Sequence, residues 1–195
     1  MIKKYIQQEK DFFENRDLEV LYQVFKLKNL FRQGWLKRDI PEKIGESVAD
    51  HTFGTAMTAW ILAKNLKLDL NLEKVLKMAL VHEVGEIYAG DITPVDGVSL
   101  NQKYEKELES VTSVFSSYPE GHEFIELWKE FEEGSSPEAK FVKQIDKFEM
   151  GIQAVIYKGH GYPKMDEFIE SANNVINRHE LKDIFKQVIN RGDIK

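Results

Sequence analysis

The chain has 195 residues, 42% of them hydrophobic and 31% charged, and no cysteine; this is the composition of one domain with a sizeable core, and it excludes disulfides and thiolate metal sites. Its 33 acidic side chains against 27 basic ones give a net charge of −6, which excludes a molecule whose whole surface attracts nucleic-acid polymers or anionic membranes. Any phosphate it handles must meet a local cluster of cations.

The opening run Met1-Ile-Lys-Lys-Tyr-Ile is interrupted by charge too early for a signal peptide, and no apolar run approaches a membrane span, so a cytoplasmic protein is expected. Periodicity predicts a peripheral helix over residues 3–14 and a second over 17–31 that carries Leu18, Leu21, Val24, Phe25, Leu27 and Leu30. Gly34 and Pro41 then break the pattern and leave Arg32, Trp35, Lys37 and Arg38 in a connecting segment. That composition suits an anion, and it equally suits a solvated loop with Trp35 docked on the core.

Ser47 is the expected N-cap of a long apolar helix through Phe53, Ala56, Met57, Trp60, Ile61, Ala63 and Leu66, which places His51 in its first turn. The next helix is predicted from Leu72 to about Ala89, with Gly90 as its stop and Asp91, Thr93 and Pro94 at its exit. On a regular helix His82 and Glu86 share one face, with Glu83 beside them, at the edge of apolar surface from Leu76, Ala79, Leu80, Val84 and Ile87. A solvated face with a histidine at its margin is the plain alternative.

Residues 100–117 and 120–133 read as packing helices, with Val111, Val114, Phe115, Trp128 and Phe131 among their inward residues and no visible chemistry. Ser135 and Glu138 have capping-box spacing before another amphipathic helix with a seam through Phe141, Ile145, Phe148, Ile152, Val155 and Ile156. Asp146 lies beside that seam, where a carboxylate is costly unless it is paired or bound to a cation. Residues 164–195 supply one or two further helices, His122, His160 and His179 are expected to face solvent, and no strand-like alternation or repeat is present. The expectation is an all-α single domain over residues 1–195.

His51, the His82-Glu83 pair and Asp146 each lie on a different predicted helix, next to stripes that must face one core, so they can converge. Two imidazoles and two carboxylates suit a divalent ion such as cobalt, manganese, zinc, magnesium or iron. Glu86 and Asp91, close in sequence to this set, are placed to orient or deprotonate a water molecule. A zincin reading fails, because position 86 holds glutamate where the second helical histidine is needed.

The blocks Arg32-x-Gly-Trp35, Ser47-x-x-Asp50-His51, His82-Glu83-x-x-Glu86 running on to Gly90-Asp91 with Thr93-Pro94, and Glu138 to Lys147 containing Asp146 together resemble the HD-domain superfamily. The resemblance covers roughly residues 18–160 and is closest to the 5'-deoxynucleotidase branch. It implies a helical HD-domain bundle, a homodimer, and a divalent metal held by His51, His82, Glu83 and Asp146. The implied activity is hydrolysis of deoxynucleoside 5'-monophosphates, a small-molecule nucleotide substrate. It further implies that Glu86 and Asp91 act at the scissile phosphate, and that Arg32 and Trp35, with Thr93 beside them, serve substrate binding. Other HD-type nucleotide phosphohydrolases, or a nucleotide- and metal-binding protein without turnover, share these motifs. One departure is present: the family's His-Asp pair is His82-Glu83 here, one methylene longer.

Overall fold

The computed structural model describes residues 14–192, so the helix expected over 3–14 lies, apart from its last residue, outside the described residues. The chain forms α1 (Arg16–Val24), α2 (Gln33–Leu36), α3 (Val48–Asn65), α4 (Leu72–Val81), α5 (Glu86–Ala89), α6 (Leu100–Phe115), α7 (Gly121–Glu133), α8 (Pro137–Gly159), α9 (Asp166–Val175) and α10 (His179–Gly192). Short 3-10 turns cover Phe25–Asn29 and Pro94–Asp96. The all-α expectation holds among the described residues, whose one extended pairing is an isolated bridge between Phe31 and Ser47.

Local chemistry sets the helix starts. Asn15 caps α1 by accepting from the Leu18 amide, and Ser47 and Asp50 form a reciprocal capping box at α3. At α8 the box expected from Ser135 and Glu138 does not form. Ser136 is the cap, accepting from the Ala139 amide with Pro137 in the first turn. Glu138 instead accepts from the Asn71 amide at 3.0 Å, joining the start of α8 to the start of α4.

Two larger departures concern helix continuity. The helix expected over 17–31 tightens to a 3-10 turn at Phe25, and its buried face runs through Val20, Gln23 and Leu27 while Leu18, Leu21 and Phe25 stay about half exposed. The helix expected from Leu72 to Ala89 stops at Val81, and residues 82–85 form a turn before α5. Gly85 allows that turn to pass close under α6 and α7. A Cβ there would stand 2.8 Å from the Cβ of Glu107 and 3.1 Å from the Trp128 indole nitrogen.

The long helix α8 is the axis of the larger core. Phe141, Val142, Ile145, Phe148 and Ala154 pack against residues of α3, α4, α9 and α10. A second cluster joins α1, α6 and α7 through Val20, Val111, Val114, Phe115 and Trp128 and takes in Val81 and Val84. Burial of each such side chain contributes about 1.5–3 kcal/mol. The turn 82–85 is thus held between the two clusters, and its polar side chains emerge where the clusters meet. On the opposite side of α3, Phe53, Met57, Trp60 and Ile61, part of the long apolar helix expected from the sequence, form an exposed apolar row.

Candidate metal centre and active site

His51 from the first turn of α3, His82 and Glu83 from the turn after α4, and Asp146 from the middle of α8 offer one ligand atom each, all within 4.8 Å of one another. Nε2 of His51 lies 3.2 Å from an Asp146 oxygen and 3.5 Å from a Glu83 oxygen, which is itself 3.8 Å from Nε2 of His82. Donors at about 2.1 Å from a common ion stand about 3.0–3.4 Å apart at octahedral or tetrahedral angles, so these spacings fit a divalent cation with little movement. The two Nε2 atoms and Oδ1 of Asp146 are buried without a hydrogen-bond partner. Buried polar atoms are normally satisfied, and three orphans aimed at one point are what a cation site requires.

Each histidine is held through its other nitrogen. Nδ1 of His82 is 2.7 Å from the Ala79 carbonyl oxygen, a group left over where α4 ends. His51 has no such carbonyl within its helix turn, and its Nδ1 meets Oε2 of Glu149 at 2.6 Å. The His51 ring is also flanked by that of His82, whose other edge meets Phe131.

The protonation pattern follows from burial and charge. Burial pushes the His82 imidazole below its ordinary value. For His51, burial and Arg32 oppose the cation, but Asp146 and Glu149 outweigh them and bring it up to about 9. Burial works against the Glu83 carboxylate, yet His82, Arg32 and His51 hold it down to about 2. Asp146 is likewise held well below the carboxylate range, Lys147 and His51 overcoming its burial. Ligand sites already ionised in this way need give up only the His51 proton when a cation binds.

His82, Glu83 and Asp146 line a cleft of about 580 Å³ that also exposes Arg32, Glu86, Asp91 and Thr93. Arg32 reaches Glu83 at 2.9 Å and Asp91 at 3.8 Å. The Gln33 amide donates to the other Asp91 oxygen, so the segment before α2 and the exit of α5 are tied together. Glu86 is almost wholly buried with one oxygen unpartnered, and burial, with Glu83 and Asp91 nearby, raises it well above the usual carboxylate range. Lys37 donates to the Thr93 hydroxyl and to Asp96. Trp35 is placed differently from the rest: its ring is buried against Tyr157 and Phe168, and its indole N–H is taken by Glu46 at 2.6 Å.

Sequence reasoning passed over part of this cleft. Lys103 and Glu107, from a helix read as packing only, line it together with Lys143 and Lys147. Their signal was a Lys–Glu pair four apart in the first turns of α6, and burial brings the Glu107 carboxyl up to about 7. Glu149 stands three residues beyond Asp146, one turn along the same face of α8. His122, His160 and His179 are exposed, as expected.

A helical bundle whose core presents two histidines and two carboxylates from three separate segments defines the HD-domain class, and the HD-domain family profile matches residues 24–188. The chain belongs to this family. It is 34% identical over 175 residues to the human protein named 5'-deoxynucleotidase HDDC2, covering 88% of this chain and 83% of the relative. The fission yeast 5'-deoxynucleotidase hdd1 is 36% identical over 151 residues, covering 73% of this chain and 74% of that protein. Among solved structures, the PH0347 protein of Pyrococcus horikoshii OT3 superposes with a TM-score of 0.77 at 37% identity, over 89% of this chain and 99% of the other.

Proposed function

We propose that the protein is a metal-dependent 5'-deoxynucleotidase that hydrolyses deoxynucleoside 5'-monophosphates to deoxynucleoside and phosphate. The observation that carries this reading is the convergence of four ligand atoms within 4.8 Å beside a cleft that also presents Arg32 and Glu86. Relatives named 5'-deoxynucleotidase at 31–38% identity support the choice of substrate.

His51, His82, Glu83 and Asp146 hold the divalent ion, which when bound polarises a phosphate oxygen and lowers the pKa of water. Arg32 leaves its apo pairing with Glu83 far enough to share the phosphate dianion, a task suited to a guanidinium. Glu86 accepts a proton from the attacking water, whose oxygen forms the new bond to phosphorus. As the bond from phosphorus to the sugar O5' breaks, Asp91 delivers or directs the proton that O5' takes up. The raised proton affinity of Glu86, set by burial with Glu83 and Asp91 nearby, fits a group that accepts a proton. Trp35 serves the phosphate site indirectly, by anchoring α2 on the core through Glu46. Thr93, joined to Lys37, shapes the mouth of the cleft.

The homodimer and cytoplasmic residence implied by the resemblance belong to the same proposal. The exposed row of Phe53, Met57, Trp60 and Ile61 supports the former. No helix among the described residues is long and apolar enough to cross a membrane.

The test is phosphate release from a panel of nucleotides by the full chain, with and without manganese, cobalt, zinc or magnesium. Metal-dependent release from deoxynucleoside 5'-monophosphates is expected. Release only from cyclic or polyphosphorylated nucleotides would move the assignment to another HD-type phosphohydrolase. Nucleotide binding without release under any metal would make the protein a binding module.

A further inference from the structure

We infer that Glu149 is a positioning residue for the metal centre, fixing the ring of His51 so that Nε2 faces the ligand set, and that Gly54 is the gap that lets it do so. The inference rests on the metal reading above. Asp146 and Glu149 project from one face of α8, one turn apart, and take hold of opposite nitrogens of the same imidazole: Asp146 approaches Nε2 at 3.2 Å and Glu149 meets Nδ1 at 2.6 Å. With a proton on Nδ1 donated to the Glu149 carboxylate, the lone pair of the neutral ring is on Nε2, the atom that stands among the other ligand atoms.

No other group in the first turn of α3 does this work. The Ser47 carbonyl accepts from the amide of His51 itself, and the Val48 carbonyl accepts from the Thr52 hydroxyl. His82 differs because α4 ends beneath it and leaves the Ala79 carbonyl for its Nδ1. The ring inside a continuing helix therefore needs a partner from another element, and α8 supplies it.

Space for that partner is made by a glycine. Gly54 lies three residues after His51, on the same side of α3. A Cβ at position 54 would stand 2.6 Å from Oε1 and 3.0 Å from Cγ of Glu149. Contacts of that length do not persist, so a side chain at 54 must drive the Glu149 carboxylate away from His51. Gly54 is in the middle of an 18-residue helix and has no backbone need for glycine, since it is not among the residues with positive φ; alanine would favour the helix. Its value lies in the close approach of Glu149.

The experiment uses the full chain and cobalt(II), with affinity from competition against a chelator and ring geometry from the low-field Nδ1–H proton resonance and long-range proton–nitrogen spectra of the zinc-loaded protein. Glu149→Ala should weaken cobalt binding ten- to a hundredfold, the usual effect of losing such a partner, and should remove the low-field resonance. Glu149→Gln, whose amide oxygen still accepts from Nδ1–H, should recover most of the affinity. Gly54→Ala should reproduce the Glu149→Ala loss with Glu149 still in place, and the double variant should be no worse than either single one. Cobalt affinity and resonance unchanged in Glu149→Ala would overturn the inference, as would fully additive losses in the double variant. A wild type that binds no cobalt would instead overturn the metal reading, and Glu149's role with it. The resonance, read also without metal, shows whether the Glu149–His51 contact exists independently of that result.

Discussion

Shortening Glu83 to aspartate, the residue that the family resemblance places at this position, should weaken the metal site of this chain. Retracting the carboxylate by one methylene withdraws its oxygens by about 1.5 Å. The Glu83 oxygen now lies 3.5 Å from Nε2 of His51 and 3.8 Å from Nε2 of His82, already close to the separation of two ligands on one ion. Metal–oxygen distances tolerate about 0.2 Å of error, so a retreat several times larger removes one anionic ligand unless the 82–85 turn moves inward. That turn is confined by Gly85 packed under Glu107 and Trp128. The expected outcome for Glu83→Asp is a loss of at least tenfold in metal affinity and a similar loss in turnover at limiting metal, on the order of 1.4 kcal/mol. Chelator competition with manganese, cobalt and zinc, followed by phosphate release at the same limiting metal concentration, measures both. Glu83→Gln keeps the length and loses the charge, and it should also bind metal more weakly. Metal binding at least as tight in Glu83→Asp, with turnover raised, would refute the reasoning and show that the longer side chain is a strained ligand. Unchanged affinity and rate would remove Glu83 from the ligand set.

Glu86→Ala should lower kcat about a hundred- to ten-thousandfold with metal content retained; full metal-dependent activity would end the assignment of Glu86 to the attacking water. Arg32→Ala should act mainly on KM. In metal-free protein it should also lower stability, because Glu83 and Asp91 lose their cation, and urea unfolding with and without metal reads that difference. The Glu46 carboxyl, lifted by burial and by Glu149 from 4.5 to about 7, binds a proton in the folded state that the unfolded chain releases. Stability of the metal-free protein should therefore fall as pH rises between about 4.5 and 7, by about 3 kcal/mol at most. Glu46→Gln, still able to accept from Trp35, should flatten this dependence, and parallel unfolding curves for the two proteins at pH 5, 6 and 7 would contradict it. His51→Ala should abolish metal binding while His122→Ala leaves it intact, as elemental analysis after desalting would show.

The convergence of the four candidate ligands was legible because each lies next to an apolar stripe. Asp146 beside Ile145 and Phe148, and His51 on the buried side of α3 with Ala56 and Ala59, are polar groups carried into a core, and only a shared partner makes that placement tolerable. Helix continuity was less legible. The run from Leu72 to Ala89 has helical spacing throughout, and nothing in that spacing marks Val81 as its end; the break is followed by Gly85, which packs closely against Glu107 and Trp128. His82 and Glu86 therefore reach the cleft from a turn and a separate short helix, not from successive turns of one cylinder. Lys103, Glu107 and Glu149 were passed over for a related reason. A charged residue on an amphipathic helix reads as solvated unless its neighbours in space are known, and those neighbours come from other segments of the chain.

The cleft also explains how an acidic protein receives an anion. Six cationic side chains line it, Arg32, Lys37, Arg38, Lys103, Lys143 and Lys147, against seven carboxylates, Glu83, Glu86, Asp91, Glu107, Glu132, Asp146 and Glu167. Burial raises Glu86, Glu107 and Glu132 above the ordinary carboxylate value and so reduces the negative charge they contribute, while Arg32, the cation best placed for a phosphate, is engaged by Glu83. A divalent ion among the four ligands would add two positive charges. By drawing on the Glu83 oxygen that Arg32 now holds, it would also loosen the hold on Arg32. On this argument the metal conditions substrate binding as well as the chemical step. Local charge in the cleft, rather than net charge, would then admit a phosphate dianion to a chain with a net charge of −6.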